Sequence, residues 1–306
     1  MHPLQTQSQS IEPQQTLASH SDRDPAFDDL LTYLRQSHGF SFTGYKPASL
    51  MRRIELRMHQ VSIGTYRDYT AYLQANPDEF GALFSTIEIN VTKFFRDLSA
   101  WEYLVTDTIP RILCQKSANE PIRVWSAGCA SGEEPYSLAI VLAEALGMEQ
   151  YQKRVRIFAS DIDAEALHEA RQGYYSAMRM ADMPVALRER YFEPEGNGYS
   201  VCSELRSRLL FFRHNLVADP PMSNIDLILC RNALIYFNHN GQTKTLVRFY
   251  FSLNCTGILF LGKSEMLPQG NRLFKPLSVE HHMLSKAEKS YLTPTLLVQG
   301  LRRSPL

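Results

Sequence analysis

Ile122-Arg123-Val124-Trp125-Ser126-Ala127-Gly128-Cys129-Ala130-Ser131-Gly132-Glu133-Glu134-Pro135 is the stretch on which the fold turns. Its first six residues read as a buried strand. Gly128, Ala130 and Gly132 then form a loop of small residues, spaced so that a ligand can approach the backbone as the strand ends. Pro135 fits the first turn of a helix over Pro135–Leu146, and Glu133 and Glu134 sit beside the free backbone N–H groups of that helix start. Two carboxylates at this position would repel a phosphate, so a cationic or hydroxyl-rich nucleoside suits the loop better than a pyrophosphate. A purely structural tight turn is the plain alternative for the glycine loop taken alone.

Further along, Val155-Arg156-Ile157-Phe158-Ala159-Ser160 predicts a second strand, followed by a helix from about Ala164 to Arg171. Ile225–Cys230 and Gly257–Gly262 read as buried strands separated by a helix across Gln242–Phe251. Short apolar strands alternating with helices predict an α/β fold with a doubly wound, mostly parallel sheet. Tyr199–Cys202 and Arg208–Arg213 are expected to form a small antiparallel β lobe at about residues 191–213.

Before this region the rhythm is helical. Phe27, Leu30, Leu31 and Leu34 recur at helical spacing, as do Leu50, Ile54, Met58 and Val61, then Tyr66, Tyr69 and Leu73, then Phe80, Leu83, Phe84 and Ile87. A small all-α domain is therefore expected over 25–90, with 91–121 a linker or lid and 122–288 the α/β domain. Residues 1–24, rich in Gln, Ser, Pro and Thr, predict a disordered tail, and 289–306 a second tail. Within the linker, Asn90-Val91-Thr92-Lys93-Phe94-Phe95-Arg96-Asp97 suggests a lid strand closing one domain over the other; a buried Phe pair between solvated charges is the plain alternative.

The 306 residues, 44% hydrophobic and 21% charged, suffice for about two globular domains. Lys plus Arg equals Asp plus Glu at 32 each, which argues against a surface that grips nucleic acid throughout. No apolar run approaches a membrane span, so no direct membrane insertion is expected. The start lacks the pattern of a secretory leader, and five scattered cysteines without a CxxC suit a reducing cytoplasm rather than disulfides or zinc.

Polar residues recur at successive strand ends. Asp161, at the tip of the second strand, is placed to accept hydrogen bonds from two ribose hydroxyls, whereas Asp163 is placed to cap the next helix. The interval of 29 residues from Gly132 to Asp161 exceeds the roughly 20 of a dinucleotide fingerprint and argues against NAD. Asn215 stands at the third strand end, where it is a candidate for reading an adenine edge. Arg231-Asn232 stands at the fourth and would close the pocket.

Together these residues resemble the chemotaxis receptor methyltransferases, the CheR family. The resemblance rests on Asn90–Arg96, Trp125–Ser137, Ala159–Asp163, Cys230–Asn232 through Tyr236-Phe237, and the basic helix from Lys46 through Arg52-Arg53-Ile54-Glu55-Leu56-Arg57. It implies an S-adenosylmethionine methyltransferase fold and transfer of the cofactor's methyl group to glutamate side chains of chemoreceptor cytoplasmic helices. The cofactor contacts it implies are Asn90, Thr92, Arg96, Glu134 and Asp161, with Asn215, Leu216, Arg231 and Asn232 from the later strand ends. Gly128 supplies the close backbone approach. Arg96 and Tyr236 are expected to hold and orient the substrate carboxylate, and Arg52, Arg53 and Arg57 to dock the receptor. No metal is implied, and a monomer is expected. The competing readings are a catalytically silent cofactor-binding adaptor and a methyltransferase of small carboxylic acids. Some family members also capture a receptor's carboxyl-terminal pentapeptide on their β lobe. The acidic turn Glu193-Pro194-Glu195-Gly196-Asn197-Gly198 predicts that this chain does not.

Overall fold

A computed structural model describes residues 24–88, 90–268 and 271–288. The expected terminal tails lie outside these residues, save for Asp24. Four helices come first: α1 (Pro25–His38), α2 (Pro47–Gln60), α3 (Tyr66–Ala75) and α4 (Glu79–Ile87). They bury Phe27, Leu30, Ile54, Tyr69 and Leu83 in a core of their own. Asp24 caps α1 by accepting from the Ala26 amide at 2.9 Å, and the Thr65 hydroxyl caps α3.

The segment 90–97 is not a strand, contrary to the expected lid strand. Phe94 is buried in the core of the α/β domain, edge-on to Tyr175 and Phe192. Phe95 packs edge-on against Trp101, and its amide bonds to the Ser137 hydroxyl at 3.0 Å. The Phe pair therefore pins the segment down. It leads into α5 (Leu98–Tyr103), a π turn (Leu104–Thr108) and α6 (Ile109–Cys114).

The α/β domain alternates β1 (Ile122–Ala127), α7 (Glu133–Leu146), α8 (Met148–Arg154), β2 (Val155–Asp161) and α9 (Ala164–Gln172). After β3 (Tyr174–Ser176), α10 (Val185–Tyr191), β4 (Phe192–Glu195), β5 (Gly198–Val201) and α11 (Ser203–Arg206) come β6 (Leu209–Arg213) and β7 (Ile225–Cys230). The fold ends with α12 (His239–Ser252), β8 (Leu253–Leu261), β9 (Phe274–Ser278) and β10 (Met283–Lys286). The main sheet has seven strands in the order β6-β2-β1-β7-β8-β10-β9, parallel except where β10 runs against β8 and β9. β7 is buried along its whole length, as expected of a strand covered on both faces. Val124, Leu227 and Phe260 face the core shared with α5–α8, whereas Trp125, Ile228 and Leu259 face the core shared with α12.

The small lobe is β3-β5-β4, antiparallel. This corrects the expected lobe over 191–213. Leu209–Arg213 pairs in parallel with Ile157–Asp161 as the edge of the main sheet, and the lobe takes its third strand from Tyr174–Ser176. As an edge strand, β6 is only half covered, so its pattern resembles that of a solvated hairpin arm.

The two domains are joined by backbone hydrogen bonds. Lys46 N donates to Tyr236 O at 2.9 Å and Asn238 N to Gly44 O at 2.8 Å, while the Asn238 side-chain amide donates to the carbonyls of Thr43 and Tyr45.

Candidate active site

The chain runs outward from β1 to β2 and β6, then returns to β7 on the other side of β1. A crevice opens at the carboxyl ends of the strands where such a reversal occurs. The loop after β1 fills its floor. Gly128 has φ +81°, and a Cβ there would lie 2.9 Å from the Ala233 methyl; Gly132 has φ +97° and abuts Ala170 and the Tyr175 hydroxyl at the same distance. Both positions therefore require glycine on conformation and on space. Among the described residues seven non-glycine residues have positive φ, and Phe95, Asp97, Ala130 and Asn232 line or flank this crevice. Such backbone costs on the order of 1–3 kcal/mol per residue and persists where the surroundings dictate it.

The walls are rich in acceptors. Asp161 is buried, accepting from Ala130 N at 2.7 Å through Oδ2 and from Asp163 N at 3.0 Å through Oδ1. Burial pushes its carboxyl pKa up, and those backbone bonds oppose the shift. Glu134, in the first turn of α7, accepts from the Ser126 hydroxyl at 2.8 Å and lies 3.7 Å from Arg231 Nη1. Burial raises its pKa too, with the Arg231 charge pulling the other way. The Arg231 side chain, 2% exposed, donates to Asp97 at 2.7 Å and to the Arg96 carbonyl at 2.9 Å, and lies over the Phe260 ring. Glu265, 3% exposed, accepts from Ala233 N and Leu234 N through Oε1, clipping the turn that bears Asn232. Among the described residues Asn232 Oδ1 and Glu265 Oε2 are buried without a hydrogen-bond partner.

Three hollows meet here. The first is lined by Asn90, Gly128, Asp161, Ile162, Asn215, Leu216, Asn232 and Tyr236, with Tyr45 and Glu88 from the helical domain. The second is lined by Thr92, Arg96, Trp101, Glu134 and Arg231, and shares Gly128, Ala130 and Asn232 with the first. The third opens beneath α2 between Arg52, Arg53, Ile87 and Tyr236, and shares Tyr45, Glu88 and Tyr236 with the first.

Arg57 lines none of the three. It forms a two-point ion pair with Glu79 on α4, so its charge is answered by a buried carboxylate. The Asn215 side-chain oxygen accepts from Val217 N and Ala218 N, and its backbone N–H donates to Asp219 Oδ2 at 2.8 Å, which leaves the side-chain amide nitrogen to meet a base. Asn90 donates to Asp163 at 2.6 Å and Arg96 to the Val91 carbonyl at 3.0 Å. The sequence reading missed Tyr45, Glu88 and Glu265. Glu265 follows the end of β8, so the strand-end rule applied once more would have found it. Tyr45 and Glu88 carry no such signal, because only the packing of the two domains brings them to the crevice.

S-adenosylmethionine presents ribose hydroxyls and an ammonium group, all hydrogen-bond donors. The carboxylates of Asp161 and Glu134 and the unpaired Asn232 oxygen are matching acceptors, so these residues fit such a ligand. Among the described residues no three His, Cys, Asp or Glu side chains gather as a metal site.

Comparison with known proteins agrees in both domains. Residues 25–87 match the CheR methyltransferase all-alpha domain, and residues 90–283 the CheR methyltransferase SAM binding domain. A chemotaxis protein methyltransferase of Listeria innocua is 34% identical over 234 residues, covering 76% of this chain and 87% of its own. Chemotaxis protein methyltransferase 2 of Vibrio cholerae is 34% identical over 261 residues, covering 82% and 88%. An uncharacterized 104.1 kDa protein of Rhodobacter capsulatus is 35% identical over 258 residues, 84% of this chain but 27% of that protein, so this chain spans about a quarter of that relative's length. With both family domains present in order along most of its length, this chain belongs to the CheR methyltransferase family.

Proposed function

We propose that the chain transfers the methyl group of S-adenosylmethionine to glutamate side chains in the cytoplasmic helices of chemoreceptors, leaving glutamyl methyl esters. The observation that carries this reading is the junction of an acceptor-lined nucleoside pocket with an opening bordered by Arg52 and Arg53, through Tyr236. The names of the Listeria and Vibrio relatives support it.

When bound, S-adenosylmethionine supplies an electrophilic methyl group on a sulfonium. Asp161 would accept from the ribose hydroxyls, and Glu134 and Asn232 from the ammonium group. Arg231 holds Glu134 and, through Asp97, the segment bearing Arg96. A glutamate of ordinary pKa, about 4.3, is ionised near neutral pH, so the protein needs no general base. Its task is positioning, and Arg96 and Tyr236 do this for the carboxylate. The helical domain, through Arg52 and Arg53, draws in an acidic helix.

Incubation with methyl-labelled S-adenosylmethionine and receptor-containing membranes tests the reading. Base-labile label in the receptor is expected; label confined to small molecules, or no label, contradicts it.

A further inference from the structure

We propose that Glu88 gates the substrate side of the site and must carry a proton for an anionic glutamate side chain to reach Tyr236. This rests on the function proposed above.

Glu88 follows α4 at the junction of the first and third hollows, the boundary it shares with Tyr45 and Tyr236. The Tyr45 hydroxyl donates to its Oε1 at 3.1 Å. Asp161, at the end of β2, and Asp163, at the start of α9, add negative charge from the sheet side. Arg52 and Arg53 of α2 border the opening through which an anion would enter. Glu88 and Tyr236 line the same hollow as these arginines, so a substrate carboxylate drawn in by them meets Glu88 as it arrives beside Tyr236. Ionised, Glu88 faces it with a like charge in a site of reduced dielectric; protonated, it is neutral and can donate a hydrogen bond.

The surroundings favour the proton. Burial, then the charge of Asp161, push the Glu88 pKa up to about 8, and the Tyr45 hydrogen bond only partly opposes this. The admitting form is thus present below that transition and is lost as the pH rises through it. Tyr236, raised by burial above the ordinary phenol value, titrates higher still and does not overlap. Because the Tyr45 bond favours the ionised form, removing it moves the Glu88 transition to higher pH.

The test uses the full chain in two measurements. Carboxyl 13C NMR, with the Glu88 signal assigned by its loss in Glu88→Gln, reports the proton directly; titration on the alkaline side of neutrality is expected. Single-turnover methylation of a receptor cytoplasmic domain at saturating S-adenosylmethionine is then followed against pH. The wild-type rate should fall about tenfold per pH unit above the transition. Glu88→Gln, uncharged and of the same shape, should remove that fall, and Tyr45→Phe should move it to higher pH. A Glu88 signal that titrates in the ordinary carboxylate range overturns the proposal, as does an alkaline fall that persists in Glu88→Gln or stays in place in Tyr45→Phe. A wild-type protein that methylates no receptor at any pH contradicts the proposed function instead, and the NMR titration still reports whether Glu88 holds its proton.

Discussion

Arg57 meets Glu79 through two parallel hydrogen bonds, Nε to Oε1 at 2.8 Å and Nη2 to Oε2 at 2.7 Å, which tie α2 to α4. The Tyr69 hydroxyl also donates to Oε1 at 2.8 Å, so a buried carboxylate is held from two helices. A cation that the sequence offers for docking thus serves the fold of the helical domain.

Arg57→Ala should therefore destabilise the protein by about 1–3 kcal/mol, the cost of leaving a buried acceptor short of its partner. Arg57 is the main reason that the Glu79 pKa lies below its ordinary value. A depressed folded-state pKa stabilises the protein above the unfolded pKa, and that contribution is lost as pH falls through the folded value. Denaturant unfolding at neutral and acid pH should show the variant's deficit shrinking in acid. Unchanged stability with weakened receptor methylation would return Arg57 to the docking surface.

Arg52 and Arg53 border the opening beside Tyr236 and remain the candidates for docking. Charge reversal of both, Arg52→Glu with Arg53→Glu, should lower receptor methylation most at low salt, where surface charges act at longest range. S-adenosylhomocysteine affinity should stay within about twofold, since neither residue lines the acceptor-rich hollows. Normal methylation rates across low and moderate salt would remove α2 from receptor docking.

Asp161→Asn should weaken S-adenosylmethionine and S-adenosylhomocysteine together, because both carry the same ribose. Losing a charge-assisted hydrogen bond costs on the order of 1.5–3 kcal/mol, roughly 10- to 150-fold in affinity. Calorimetry with both ligands checks this. Equal affinities in variant and wild type would place the ribose elsewhere.

The β lobe bears on how a receptor is found. Its β4 edge carries Glu193 and Glu195 around Pro194, which lacks an N–H to offer a peptide strand. Negative charge along that edge also disfavours a terminal carboxylate. Titrating a receptor's carboxyl-terminal pentapeptide should show no micromolar binding; a saturable micromolar isotherm would make the lobe a tether site.

The features legible in the sequence were those set locally. Ile225–Cys230 is apolar except for Asp226 because both of its faces are covered, and the Gly128–Gly132 loop shows its close contacts in its composition. The illegible features arise from tertiary packing. β3 is three residues long, β6 looks solvated because it is an edge, and β9 carries Pro276 and, among the described residues, pairs only with β10. The Glu79 partner of Arg57 lies 22 residues away on another helix, so a count of nearby acids misses it. Tyr45 and Glu88 reach the crevice only because the chain around Gly44–Lys46 hydrogen-bonds to the segment 236–238.

Mass spectrometry of a purified receptor cytoplasmic domain, incubated with S-adenosylmethionine with and without this protein, decides whether receptor glutamates are the methyl acceptors. One methylene increment on individual glutamates is expected, reversed by mild base and strongly reduced in Asp161→Asn. A receptor domain that stays unmodified while calorimetry shows the cofactor bound to the wild-type protein would contradict it.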